Sequence, residues 1–343
     1  MSAMARLLTV LLNWRTPGMT LEAAEAALRE MADLDAELVI VDNDSGDGSF
    51  ERLSAEAMAR GWGEGGRVRV IQSGRNGGFG AGNNVGIRAG FSDGSAPDLV
   101  YILNSDAFPG PGSIRRLVEA LDRDPRAGLA GSYIHGPDGT PHVMAFRFPS
   151  ILSELEGAAR FGPLTRLLGD HRVPMELPET TRPVDWLAGA SLLIRREVLD
   201  EIGLFDETFF LYFEETDLCR RAARAGWRTL YVRESEVAHI GSASTGMKGW
   251  TRIPGFWLES RWHYFTKTHG RAYAAAATLA HLSGGLLWRL RRLVQRKPPA
   301  DPPHFLRDLL AHDLRALFAP APRSAAPRLA PATPRAVPSG ETP

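Results

Sequence analysis

The first hundred residues alternate between apolar runs and helical stretches, and this restricts the fold more than any other feature of the chain. Leu7–Asn13 and residues 37–42, 67–72 and 98–103 are predicted strands that lead into polar residues. Between the first two, residues 21–31 are rich in Ala, Glu and Leu, which favour helix. After the fourth, Ser113 caps a predicted helix with Ile114, Leu117, Val118 and Leu121 on one face, and Pro125 stops it. Strands and helices in alternation predict an α/β fold, a mainly parallel sheet covered by helices on both faces. Such sheets bind ligands at the carboxyl ends of their strands. The polar residues gather there: Asn13 and Trp14, residues 42–49, and Asn104-Ser105-Asp106.

A chain of 343 residues, 44% apolar and 23% charged, supports a large core. Lys and Arg number 40, as do Asp and Glu, so no global field points to nucleic acid. The single cysteine, Cys219, excludes an internal disulfide and a Cys-based zinc site, which fits a reducing compartment. The N-terminus reads as a strand rather than a signal peptide.

Four pieces carry the chemistry. Residues 42–49 form a small polar loop in which Asp42 or Asn43 could pair with the imide edge of a base; alone, the loop also reads as an ordinary strand-to-helix turn. Residues 75–87 hold Asn76, Gly78, Gly80, Gly82, Asn83, Asn84 and Gly86, so the backbone can approach a ligand, and a helix with free amides is expected to start near Asn83. Asn104 and Asp106, two apart at a strand end, can face one side and hold a hard cation; alone, they also read as a turn. Finally, Phe209, Phe210, Tyr212 and Phe213 lead into Glu214, Glu215 and Asp217, with Arg220, Arg221 and Arg224 following. Apolar surroundings raise a carboxylate's proton affinity, as a base requires. The bland alternative is a solvated acidic helix N-terminus. His239 follows a predicted strand at 229–232 and gains meaning only if it faces Asp106.

In this order the motifs resemble the inverting glycosyltransferases of family 2, notably their bacterial rhamnosyltransferase-like branch, over about residues 7–245. The carriers are Val41-Asp42-Asn43 with Ser45, the Asn76 to Gly86 series, Leu103 to Asp106, Trp186 with Gly189 and Ala190, and Phe209 to Arg221. The resemblance implies a GT-A fold, a nucleotide-diphosphate sugar donor and a divalent metal, Mg²⁺ or Mn²⁺. It assigns Asp42, Asn43, Asn76, Gly78, Asn83 and Asn104 to the nucleotide and Asp106 and His239 to the metal. Glu215, or its neighbour Glu214, becomes the base; Trp186, Gly189, Ala190, Tyr212 and Asp217 face the acceptor. Two departures stand out: Asn104 replaces the first Asp of the metal motif, and Glu214-Glu215 replaces Glu-Asp. Rival readings are a sugar nucleotidyltransferase, which would want a basic Gly-rich N-terminal loop that residues 12–17 do not supply, and a non-catalytic nucleotide-sugar or glycan-binding protein.

The expected organisation is a catalytic domain over 1–247, with a nucleotide-sugar half to about residue 110 and an acceptor half beyond. The stretch 137–183 is expected to be a long, partly helical excursion. A basic aromatic helical extension over 248–296, a linker and amphipathic helix over 297–319 and a disordered Pro/Ala-rich tail over 320–343 complete the chain. Residues 272–293 are apolar and end in cations, which fits a helix lying in a membrane interface better than one crossing it. The expected setting is cytoplasmic, peripheral on the inner membrane face, with a glycan or lipid-linked acceptor.

Overall fold

The structure is a computed structural model, and it describes residues 5–241, 250–320 and 326–329. In chain order its elements begin with β1 (Leu7–Asn13), α1 (Pro17–Glu30), β2 (Ala36–Asp42), α2 (Ser49–Ala59), β3 (Val68–Gln72), α3 (Gly78–Ala89) and β4 (Leu99–Asn104). There follow β5 (Ala107–Pro109), α4 (Ser113–Arg123), β6 (Ala127–His135), β7 (Ala145–Phe146), α5 (Ile151–Ala159) and α6 (Gly162–Leu167). Next come β8 (Arg182–Val184), β9 (Trp186–Leu187), β10 (Ser191–Arg195), α7 (Arg196–Ile202), α8 (Glu214–Arg224) and β11 (Arg228–His239). The last helices are α9 (Gly255–His269), α10 (Arg271–Gln295) and α11 (Phe305–Phe318).

A nine-stranded sheet runs in the order β3-β2-β1-β4-β10-β6-β11-β5, with β8 also on β11. From β3 to β4 all pairs are parallel, as the strand–helix alternation predicts. Beyond β4 the sheet is mixed, because β10 enters antiparallel between β4 and β6. Alternation along β1 sends Leu7 and Leu11 to one face and Leu8, Val10 and Leu12 to the other. The first face packs with Leu21, Leu53, Ile114, Leu117 and Leu121; the second packs with Ile87, Val198, Phe205, Leu218 and Ala222.

Several local expectations are corrected. Ser113 is the first residue of α4 and does not cap it; Gly112 precedes it at φ 73°, and the Ser113 hydroxyl finds no partner among the described residues. α3 begins at Gly78, not near Asn83. The strand expected at 229–232 continues to His239 across a bulge between Val232 and Glu236. The tail expected from 320 falls largely outside the described residues, yet 326–329 are placed, and the Leu204 amide donates to the Pro327 carbonyl (2.8 Å). The segment after His239 at 242–249 also lies outside them.

The C-terminal helices join the domain through buried charge. Arg261 of α9 is fully buried and pairs with Glu154 of α5 (2.9 Å) and Asp313 of α11 (3.1 Å), while His281 of α10 also meets Glu154 (2.7 Å). Burial pushes the Glu154 carboxyl up, but Arg261 and His281 outweigh it and hold it at about 2. No described helix is long and apolar enough to cross a membrane.

Candidate functional site

A cavity of about 300 Å³ opens at the carboxyl ends of β1, β2 and β4. Leu12, Trp14, Asn43, Asn76, Gly78, Phe79, Asn104, Ser105 and Asp106 line it from the sheet side. Phe210, Leu211, Tyr212, Glu214, Glu215 and Phe256 close it from the other. This size suits a small ligand.

The Asp42 carboxylate is not among the lining groups. It is buried and accepts hydrogen bonds from Asn13 Nδ2 (2.7 Å), Ser45 Oγ (2.6 Å) and the Ser45 amide (3.2 Å), so it orders the loop behind the cavity. Asn43 does line it. Its Nδ2 donates to Asn76 Oδ1 (3.1 Å) and to the Gly78 carbonyl (3.2 Å), and its buried Oδ1 has no partner among the described residues. Asn104 Oδ1 is left in the same state. A buried acceptor without a donor costs free energy until a ligand supplies one. Asn83 is not at a helix start: it sits inside α3, buried, with Nδ2 on the Phe79 carbonyl (3.0 Å). The first amides of α3 are already engaged, Gly78 by Asn76 Oδ1 (3.1 Å) and Phe79 by the Phe210 carbonyl (3.0 Å). Gly78 must be glycine there: its φ is +87°, and a Cβ would lie 1.7 Å from the Phe210 oxygen.

The acidic run is aimed by strained backbone. Tyr212 and Phe213 both adopt left-handed conformations, φ 69° and 70°, and α8 starts at once with Glu214. Glu214 is buried with Oε2 unpartnered among the described residues; burial and the neighbouring Glu215 charge raise its proton affinity far above that of an ordinary carboxyl. Burial raises Glu215 too, but the Gly189 amide donates to its Oε1 (3.0 Å) and favours the charged form. Of this pair, Glu214 is pushed further toward its neutral form than Glu215.

β5 and β11 bring the other ionisable pair together. Their antiparallel register sets His239 opposite Ala107, and the Ile240 amide donates to the Asp106 carbonyl (3.1 Å). His239 Nε2 then lies 3.0 Å from Asp106 Oδ1. Among the described residues no group of three or more His, Cys, Asp or Glu is placed so that it could hold a metal ion by itself. Asn104 and Asp106 line the cavity, while His239 is not among the lining residues and meets it through Asp106; this set fits a divalent cation that draws its remaining ligands from phosphate and water.

The residues expected on the acceptor side divide. Tyr212 lines the cavity and stacks on Phe256 (6.4 Å between centroids). Trp186 does not; its ring stacks on Phe146 (4.2 Å) and its Nε1 donates to the Arg147 carbonyl (2.9 Å). Gly189 positions Glu215, and the buried Ala190 accepts the Asn104 amide on its carbonyl (3.1 Å). Asp217 is buried between Arg221 (2.8 Å) and Lys267 (2.7 Å), where it ties α8 to α9 and is out of reach of a substrate. Sequence reasoning assigned no role to Phe210 or Phe256, which wall the cavity. The aromatic clustering at 209–213 was the only signal of the first.

The profile described as glycosyltransferase like family 2 matches residues 8–254. The chain is a family 2 glycosyltransferase. Among the relatives of this glycosyltransferase is the N-acetylglucosaminyl-diphospho-decaprenol L-rhamnosyltransferase of Mycobacterium tuberculosis, 34% identical over 241 residues, or 67% of this chain and 75% of that one. The mannosyltransferase of Pyrobaculum calidifontis, solved with GDP-Man and Mn²⁺, superposes with a TM-score of 0.53 at 15% identity, covering 93% of this chain and 82% of that chain. GalNAc-T7, solved with UDP, GalNAc and Mn²⁺, gives 0.54 at 14%, covering 91% and 55%. These solved structures share its GT-A fold.

Proposed function

We propose that this glycosyltransferase moves a sugar of the rhamnose type from a nucleotide-diphosphate donor to a hydroxyl of a lipid-linked or polysaccharide acceptor at the inner membrane face, with inversion. One observation carries the reading: Glu215, with its Oε1 held by the Gly189 amide, lines the same cavity as Asp106 and Asn43. The rhamnosyl group and lipid-linked acceptor are supported by the mycobacterial relative's name.

In the proposed reaction the acceptor hydroxyl gives its proton to Glu215 Oε2 as its oxygen attacks the anomeric carbon. The bond from that carbon to the diphosphate oxygen breaks on the opposite face, and configuration inverts in a single displacement. Glu214 stays protonated and adds no second negative charge beside the base. Asn43 and Asn76 orient the nucleotide, and the aromatic wall of Phe210, Tyr212 and Phe256 excludes water from the donor. Asp106 and His239, with Asn104 nearby, would hold a divalent cation, which when bound stabilises charge on the diphosphate.

Purified protein incubated with a panel of nucleotide sugars and acceptors should release nucleoside diphosphate from one donor class. Glu215→Gln should lower turnover by roughly 10²–10⁴-fold with donor affinity retained. Glu214→Gln, which mimics the neutral acid, should keep most of it. Pyrophosphate release from a nucleoside triphosphate would mark a nucleotidyltransferase instead, and binding without release from any donor a non-catalytic protein.

A further inference from the structure

α10 and α11 present one apolar platform. On α10, Leu279, Leu286, Leu290, Leu293 and Val294 are between 56% and 84% exposed, and at 100° per residue they form one stripe. On α11, Leu310, Leu314 and Phe318 recur every four residues and are exposed as well. The helices pack antiparallel, since Thr278 meets Asp313 while Gly285 meets Leu306. Helical geometry then turns both stripes to the same side, away from the contacts that Gly284 makes with α5. Contiguous exposed apolar surface of this kind marks an interaction site.

Charge identifies the occupant. Residues 271–300 contain Arg271, Arg289, Arg291, Arg292, Arg296 and Lys297 and no carboxylate. Arg289, Arg296 and Lys297 are exposed beside the stripe, and none of these three or Arg292 pairs with a carboxylate among the described residues. A cavity of about 420 Å³ at the end of α10 is lined by Arg289, Arg292 and Leu293, and its one acidic residue, Asp301, is already paired with Arg160 (2.7 Å). An apolar stripe bordered by cations matches a bilayer carrying anionic headgroups. A second copy of the chain would bring the same cations against these.

We propose that the α10–α11 platform docks on an anionic lipid surface, with the leucines among the acyl chains and Arg289 and Arg296 at the phosphates. The inference deepens the functional reading above, on which it rests for the acceptor's location. It also explains why α9, which contributes Phe256 to the catalytic cavity, leads directly into the platform.

The test is co-sedimentation of the full chain with phosphatidylcholine vesicles and with mixed phosphatidylcholine–phosphatidylglycerol vesicles. The wild type should bind the mixed vesicles more tightly. The variant Leu286→Ser, Leu290→Ser, Leu293→Ser should lower partitioning at least about tenfold, and Arg289→Gln, Arg296→Gln should lower it on mixed vesicles alone. These side chains are exposed, so circular dichroism should be unchanged. Wild type left in the supernatant with both vesicles, or variants that sediment as it does, would overturn the proposal. So would a wild-type dimer in the ultracentrifuge that the leucine variant dissociates while vesicles go unbound. Transfer to a short water-soluble acceptor is measured alongside. Transfer without vesicle binding sinks the platform only, whereas vesicle binding without transfer from any donor sinks the functional reading and upholds the platform.

Discussion

Replacing Gly189 by alanine tests how Glu215, the proposed base, is held. A Cβ at this position would lie 2.9 Å from Glu215 Oε1 and 2.9 Å from the edge of the Phe79 ring. Both are below ordinary van der Waals contact, so the carboxylate, the softer of the two, must retreat by roughly 0.5–1 Å. A displacement on that scale in a reacting group costs up to about 10²-fold in rate, or roughly 2.7 kcal/mol of barrier. The fold itself should lose only about 1–3 kcal/mol, the usual cost of an added methyl in a filled space. Steady-state kinetics should therefore show a kcat lower by about 10–100-fold with little change in donor KM. A kcat within about threefold of wild type would refute the assignment, because Glu215 would then be no more position-sensitive than a bystander. If Glu214 were the base, the same variant would leave turnover nearly intact.

Gly78→Ala should be more damaging, since both the left-handed φ and the Phe210 oxygen exclude a side chain; titration with nucleoside diphosphate should show affinity down at least about tenfold. Arg261→Met strands the Glu154 and Asp313 carboxylates in a buried place, and urea denaturation should report a loss of about 3–5 kcal/mol; a change near zero would show that the cluster is dispensable. Because the Glu154 carboxyl is held at about 2 against an ordinary 4.5, the stability it contributes is complete above pH 4.5 and disappears as pH falls toward 2. Acid titration of Glu154→Gln should lack that part of the transition.

The parallel half of the sheet was legible because its strands are mostly apolar and its crossovers helical; Leu7–Asn13 was read to the residue. The antiparallel entry of β10 was not, since a five-residue strand with three apolar residues says nothing about its direction or its neighbours. Asp217 looked like part of the site because it follows two glutamates, but its partner Lys267 lies fifty residues on, beyond any local pattern. The start of α3 was misplaced for a related reason. Gly-Phe-Gly-Ala-Gly is a poor helix former, and the turn is held there by Asn76 and the distant Phe210 carbonyl. Buried Arg261 hid in the same way: a cation among aromatics reads as surface until Glu154 and Asp313 are seen beside it.

Phe79 has two engagements, its amide on the Phe210 carbonyl and its ring against Gly189 beside Glu215. Under the proposed roles, donor binding and proton removal share one mechanical part. Anyone who rebuilds residues 76–80 to accept a different nucleotide will be retuning the catalyst's basic group as well, and selection for new donors should turn up compensating changes around 189 and 210.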